Sequence, residues 1–367
     1  MEEEKDPWKL NNNITITQLL QVLEALKQAS HNIQQNNNHF SESDSSIKAL
    51  FQLHTILPSD SNLSHHLNNL KSLVNSLHNS KPSLKSFITR PLSTHSITKT
   101  AASIESELQS WIDRETVTTL SRLVTTTTTT NNNNDEDELL SLLTRFSHRV
   151  TQGFNRELQQ LILNFKLFSS LESLLFDAKC SNRIREHAGI AISALILFNK
   201  DVFVGEVLMS PTVKALVDIA SVRSIEVLCS LIRSIRSPIV DEIESNGEIP
   251  KLIALLSSND IELSVLAMEC VLEIGYFGRK EAVEGMLKEG VVEKFVELQR
   301  LEVNGGNSNE FLNCVARFAV QLEVGEGLRQ REKRALKGEI LVRVREACVS
   351  DAEAATIVAE VLWGTCP

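Results

Sequence analysis

Apolar positions recur along this chain at the three- and four-residue spacing of one helix face, and they come in blocks. The stretch "NGEIPKLIALLSSNDIELSVLAMECVLEI", residues 246 to 274, reads as two apolar helices joined by the polar turn Ser257-Ser258-Asn259-Asp260. The block is a unit. The segment beginning "AMECVLEIGYF" at Ala267 lies without a gap on the segment beginning "AGIAISALILF" at Ala188, at an offset of 79 residues. Phe277 then falls on Phe198, Val283 on Val204, Leu287 on Leu208 and Val292 on Val213. The turn residues Pro211, Gly247 and Gly290 divide that interval into steps of 36 and 43, so the period is about 40 residues, within the range of helical solenoids. A helix pair cannot cover its own apolar faces, and stacking it on the next pair does so. A short helix such as "EAVEGMLKEG" ahead of a glycine bend, followed by an antiparallel pair, makes three helices per unit.

The first third has a different texture. Residues 1–13 read as disordered. Helices are predicted near 14–33, 45–57 and 62–79, and Pro82 and Pro91 are expected to interrupt the next segment. A stronger helix is expected from about Thr98, with Ile104, Leu108, Trp111 and Ile112 on one face. Residues 14–124 therefore read as an irregular N-terminal helical bundle. "TTTTTTNNNN" followed by "DEDE" makes 125–138 a low-complexity linker, and 139–367 the repeat domain, with 139–150 as a partial repeat.

Composition narrows the class to all-α. Apolar residues make up 42% and aromatics only 5%, which favours helix over strand. The formal net charge of −10 argues against nucleic acid and anionic membrane as partners, since phosphate binding needs clustered cations. Six scattered cysteines form no C-x-x-C pair, and Cys229 and Cys270 read as reduced core side chains. "MEEEKDPWKLNNN" is the opposite of a secretion signal, and the longest apolar run, 188–198, is too short to span a bilayer. The expectation is an intracellular chain, cytoplasmic with the nucleus as an additional site, and without membrane insertion.

A short helix, Gly247, "IPKLIALL", a polar turn and "LSVLAMECVLEI" together resemble an armadillo repeat, through Gly247, Ile249, Pro250, Leu252, Leu255, Leu256, Ala267 and Ile274. One strong unit is read at 247–289, two more at roughly 166–210 and 211–246, and a degenerate one at 290–325. The resemblance implies a right-handed armadillo-like α-solenoid whose third helices line a concave groove, near 186–197, 225–235, 263–275 and 313–322. More narrowly, the layout is similar to the armadillo half of plant U-box ubiquitin ligases, although no segment resembles a U-box. A protein-interaction scaffold is the implied function, with a ubiquitin-pathway role as ligase relative or substrate adaptor the alternative.

The positions at which the family carries groove-lining Trp and Asn, four residues apart, fall here on Ile190 and Ala194, Ser230 and Ser234, Glu269 and Glu273, and Arg317 and Gln321. The implied surface runs from apolar through hydroxyl to a pair of carboxylates, and suits a protein or peptide partner with a basic segment. A second constellation, Arg329, Arg331, Lys333, Arg334 and Lys337, suits an acidic partner or nuclear import, or else a solvated helix face. Phosphate-loop, dinucleotide, zinc-protease and nucleophile-elbow motifs are missing. No catalytic residue, metal ligand, cofactor or small-molecule substrate is expected.

Overall fold

A computed structural model of the chain describes residues 84–127, 133–303 and 310–363, with isolated helical positions at 24, 68, 69 and 72. The expected helices over 14–33, 45–57 and 62–79 otherwise lie outside these residues. Among the described residues the secondary structure is entirely helical. The sixteen helices are numbered α1 (Leu84–Thr127), α2 (Asn133–Thr151), α3 (Arg156–Asn164), α4 (Leu167–Phe176), α5 (Asn182–Phe198), α6 (Lys200–Leu208), α7 (Thr212–Ile219) and α8 (Val222–Ile235), continuing with α9 (Ser237–Ser245), α10 (Ile249–Leu255), α11 (Ile261–Phe277), α12 (Lys280–Lys288), α13 (Val291–Val303), α14 (Cys314–Val324), α15 (Gln330–Ala347) and α16 (Asp351–Trp363).

The chain divides into two compact units. The first holds residues up to Thr119 together with Asn155–Phe165. Ala101, Ile104, Leu108 and Ile112 are buried along one face of α1, and Trp111 beside them is half-buried. The helix starts at Leu84 and runs through Pro91, where a break is expected from sequence. A proline removes one backbone donor, and here the residues on either side of it keep the helix continuous. The stretch expected as a linker over 125–138 is helical at both ends, in α1 to Thr127 and in α2 from Asn133. Its acidic end opens α2, and Glu136 accepts a hydrogen bond from Ser181.

The second unit, Leu120–Phe154 with Lys166–Pro367, holds the repeats. Three complete triplets follow one another: α6–α7–α8, α9–α10–α11 and α12–α13–α14. The pair α4–α5 precedes them and the pair α15–α16 follows. Helices α2, α5, α8, α11, α14 and α16 pack side by side as one row. An offset of 79 carries both ends of α5 onto the ends of α11, which is the sequence repeat made visible. The later half of α5 is apolar nearly all round. In α5 every residue from Ala191 to Ile196 is buried, as expected for a helix with neighbours on three sides.

Local chemistry sets the repeat boundaries. Each of three row helices begins at a capping residue: Ser181 accepts from Ile184 N at 3.4 Å, Ser221 forms a capping box with Ser224, and Asp260 accepts from Glu262 N at 3.1 Å. Each cap satisfies a helix-start N–H that lacks an intrahelical partner. The bend between first and second helices falls on Gly247 (φ +69°) and Gly290 (φ +80°) in two triplets, and the left-handed conformation there explains the glycines. Two triplets also approach each other closely at Gly275 of α11. A Cβ there would sit 3.1 Å from the Phe318 ring of α14, which stacks edge-on against Phe295 of α13.

Candidate functional site

The row helices turn one side toward the first and second helices of their triplets and leave the other side partly open. Along that open side lie the positions singled out from sequence. Ile190 on α5, Ser230 and Ser234 on α8, Glu269 and Glu273 on α11, and Arg317 and Gln321 on α14 are all half-buried. Ala194 is not part of it. That residue is 4% exposed, because α5 is packed at that level by its neighbours, and its methyl group belongs to the core.

The hydroxyls expected to face a ligand are turned to the protein. Ser193 Oγ donates to Ser230 Oγ across α5 and α8 at 3.0 Å, and Ser234 Oγ donates to the Ser230 carbonyl at 2.8 Å. The two carboxylates are not bare either. Arg233, one turn along α8, reaches across to α11, with Nε donating to Glu273 Oε1 at 2.8 Å and Nη2 lying 3.5 Å from Glu269 Oε2. Its hydrogen bond to Glu273 and the charge of both glutamates hold the guanidinium in its protonated form more firmly than usual. Sequence reasoning missed Arg233, because it occupies neither aligned groove slot. The available signal was an arginine in the last turn of α8, where a cation also favours the C-terminal dipole.

Arg317 on α14 donates from Nη1 to the Glu310 carbonyl at 3.2 Å and lies 3.9 Å from Met268 Sδ of α11. The open side therefore reads apolar at Ile190, neutral at Ser230, a three-membered ionic cluster at Arg233–Glu269–Glu273, then cationic at Arg317. Beneath it, Cys270 is fully enclosed; a hydrogen bond to Cys229 and burial together push its thiol well above its ordinary range. Cys180, Cys229, Cys270, Cys314 and Cys348 are all free thiols.

The basic constellation divides into two groups. Lys333 Nζ donates to the carbonyls of Glu323 (2.9 Å) and Gly325 (2.7 Å), closing the C-terminal end of α14, and Lys337 pairs with Glu323 at 2.7 Å. That pairing holds the Glu323 carboxyl below its usual range. Arg329, Arg331 and Arg334 stay exposed.

The remaining polar groups singled out from sequence are engaged locally. His187 Nδ1 donates to the Arg183 carbonyl of its own helix at 2.8 Å. A recess of about 320 Å³ in the first unit is lined by Glu105, Gln109, Asp113, Asn155 and Glu157 among others. Its polar groups bond to one another, Gln109 to Asp113 at 2.8 Å and Ser110 to Glu157 at 3.3 Å. Among the described residues no cluster of His, Cys, Asp or Glu could hold a metal ion, and no helix is long and apolar enough to cross a membrane.

No protein-family profile matches the chain, and comparison with curated proteins found no match. Solved structures do show likeness in fold. A designed armadillo repeat protein in complex with the peptide (KR)4 is 18% identical, with a TM-score of 0.47, covering 66% of this chain and 98% of its own. A computationally designed armadillo repeat protein for modular peptide recognition is 19% identical over 66% of this chain and 99% of its own, at a TM-score of 0.44. Kap121p is 9% identical at a TM-score of 0.46, covering 92% of this chain and 33% of its own. The repeat architecture stands on the triplets themselves: the chain is an armadillo-like α-solenoid in its second unit.

Proposed function

We propose that this protein is a non-catalytic interaction scaffold whose third-helix row forms a groove for an extended segment of a partner protein, with a basic side chain of that segment seated against Glu269 and Glu273. The observation that carries the reading is the Arg233 contact. Two carboxylates one helical turn apart already hold a guanidinium between them, so the surface has the shape and charge to hold a ligand's guanidinium in the same way. Ile190 offers an apolar contact two helices away along the row. Titrating a peptide of about eight alternating lysines and arginines into the wild-type chain and into Glu269→Lys/Glu273→Lys tests this, with circular dichroism confirming that both are folded. Wild-type binding that the double variant loses supports the groove, and equal binding by both rejects it.

The alternative reading, implied by the resemblance to U-box ligases, is a ubiquitin-pathway component, either a degenerate ligase relative or a substrate adaptor. Incubation of the pure chain with charging and conjugating enzymes separates adaptor from ligase, and a ladder of self-conjugates would make it a ligase. We further propose a cytoplasmic location, with the nucleus as an additional site.

A further inference from the structure

Helix α15 carries a surface that the groove does not use. Its inner stripe, Leu336, Ile340 and Val344, is buried against the last triplet. On the opposite side, within about 120° of arc, lie Arg331, Arg334, Ala335, Gly338, Val342 and Arg345, all exposed. Most other cations of this helix are engaged inward: Lys333 on two carbonyls, Lys337 on Glu323, and Arg343 on Glu293 at 3.3 Å and Glu339 at 2.9 Å. Of the helix's acids, Glu332 accepts the Arg329 N–H and Glu339 is held by Arg343, while Glu346 is exposed on the shoulder of the stripe. The outward face thus carries three exposed arginines in a chain of net charge −10.

Gly338 is the second observation. A Cβ there would meet nothing within 4 Å, so no neighbour in this unit requires glycine at that place. Glycine inside a helix is less stable than alanine, since it loses more backbone freedom on folding. Its use at the centre of an open face, between Ala335 and the half-exposed Val342, leaves room for another backbone to come close. The arginines lie at the two ends of this bare strip, Arg334 and Arg345 about 16 Å apart along the axis.

We propose that this face docks an acidic amphipathic helix of a partner protein, whose apolar stripe covers Ala335, Gly338 and Val342 and whose carboxylates, about three turns apart, pair with Arg331 and Arg334 at one end and Arg345 at the other. A protein helix fits better than a polyanion. A phosphate backbone has no apolar group to place over the central strip of Ala335, Gly338 and Val342.

The test uses the full chain and two synthetic helical peptides of about five turns that share a leucine–alanine stripe. One carries glutamates at both ends of the stripe and the other lysines at the same positions. Fluorescence anisotropy should show the glutamate peptide binding about tenfold or more tightly than the lysine peptide. The triple swap Arg331→Glu/Arg334→Glu/Arg345→Glu should invert that preference, an outcome an unfolded protein cannot give, and Val342→Asp should weaken both peptides. The proposal is overturned if the glutamate peptide does not bind, or if the swap leaves its binding unchanged. It is likewise overturned if short duplex DNA or phosphatidylserine vesicles bind more tightly with the same dependence on the arginines.

Discussion

Arg233 stands where a ligand's cation is proposed to stand, and the sign of its effect on binding is therefore decisive. Its contacts are solvent-accessible: the arginine side chain is 53% exposed, and Glu269 and Glu273 are 40% and 24% exposed. At such exposure each ion pair contributes about 0.2–1 kcal/mol, reduced by screening and by the entropy of holding long side chains. Arg233→Gln, which keeps most of the aliphatic stem, should lower folding stability by no more than about 1 kcal/mol. An incoming guanidinium need then no longer displace an internal one, and the alternating lysine–arginine peptide should bind about two- to fivefold more tightly. Glu269→Gln with Glu273→Gln should weaken it by a similar or larger factor, and about 0.5 M salt should erase both differences. Calorimetric titration of the three proteins is the assay. A weaker complex with Arg233→Gln would refute the reasoning, because the arginine would then be a ligand contact and the groove would read acid instead of base.

Further predictions concern the scaffold. Asp260→Ala removes the cap of α11 and should cost about 1 kcal/mol in urea denaturation, with Asp260→Asn retaining most of it. Gly275→Val drives a side chain into Phe318 and should destabilise by about 1–3 kcal/mol, whereas Gly205→Ala, in open space within α6, should stabilise by about 0.5–1 kcal/mol. Burial pushes the Cys314 thiol up to about 12, so in the native protein at pH 8 iodoacetamide should leave it unmodified, while denatured protein reacts at all its cysteines. The Arg300 hydrogen bond holds the Glu353 carboxyl below its ordinary 4.5, so the folded state favours its ionised form. This contribution is present above pH 4.5 and fades as pH falls through the lower folded-state value, and Glu353→Gln should flatten that part of the acid limb of the stability curve.

How far the sequence could be read depends on where each feature gets its information. The repeat was legible because its determinants are local: bends at Gly247 and Gly290, and apolar runs whose offset of 79 lays α5 on α11. The third-helix row falls within a few residues of the predicted 186–197, 225–235, 263–275 and 313–322. The charged stretch of α15 was read as a helix face, but its packing on the repeats was not, since it buries only Leu336, Ile340 and Val344 on a narrow stripe. Pro91 misled because a single lost donor is a weak signal inside a 44-residue helix. The site was less legible than the fold. That Arg233 would meet Glu273, forty residues on, depends on the register between neighbouring helices, which no within-helix pattern reports. For the same reason Ala194 was read as surface, whereas its burial is set by the neighbours of α5.

The central claim is that the row α5–α8–α11–α14 is the surface that holds a partner segment. Photo-crosslinking tests it most directly: the lysine–arginine peptide with a benzophenone at its centre is irradiated with the full chain, and the adducts are mapped by mass spectrometry. The account predicts adducts on the open side of α8, α11 and α14, around Ser230, Glu269 and Arg317, that vanish in Glu269→Lys/Glu273→Lys. Adducts spread over the first unit or α15, unaffected by that double variant, would contradict it.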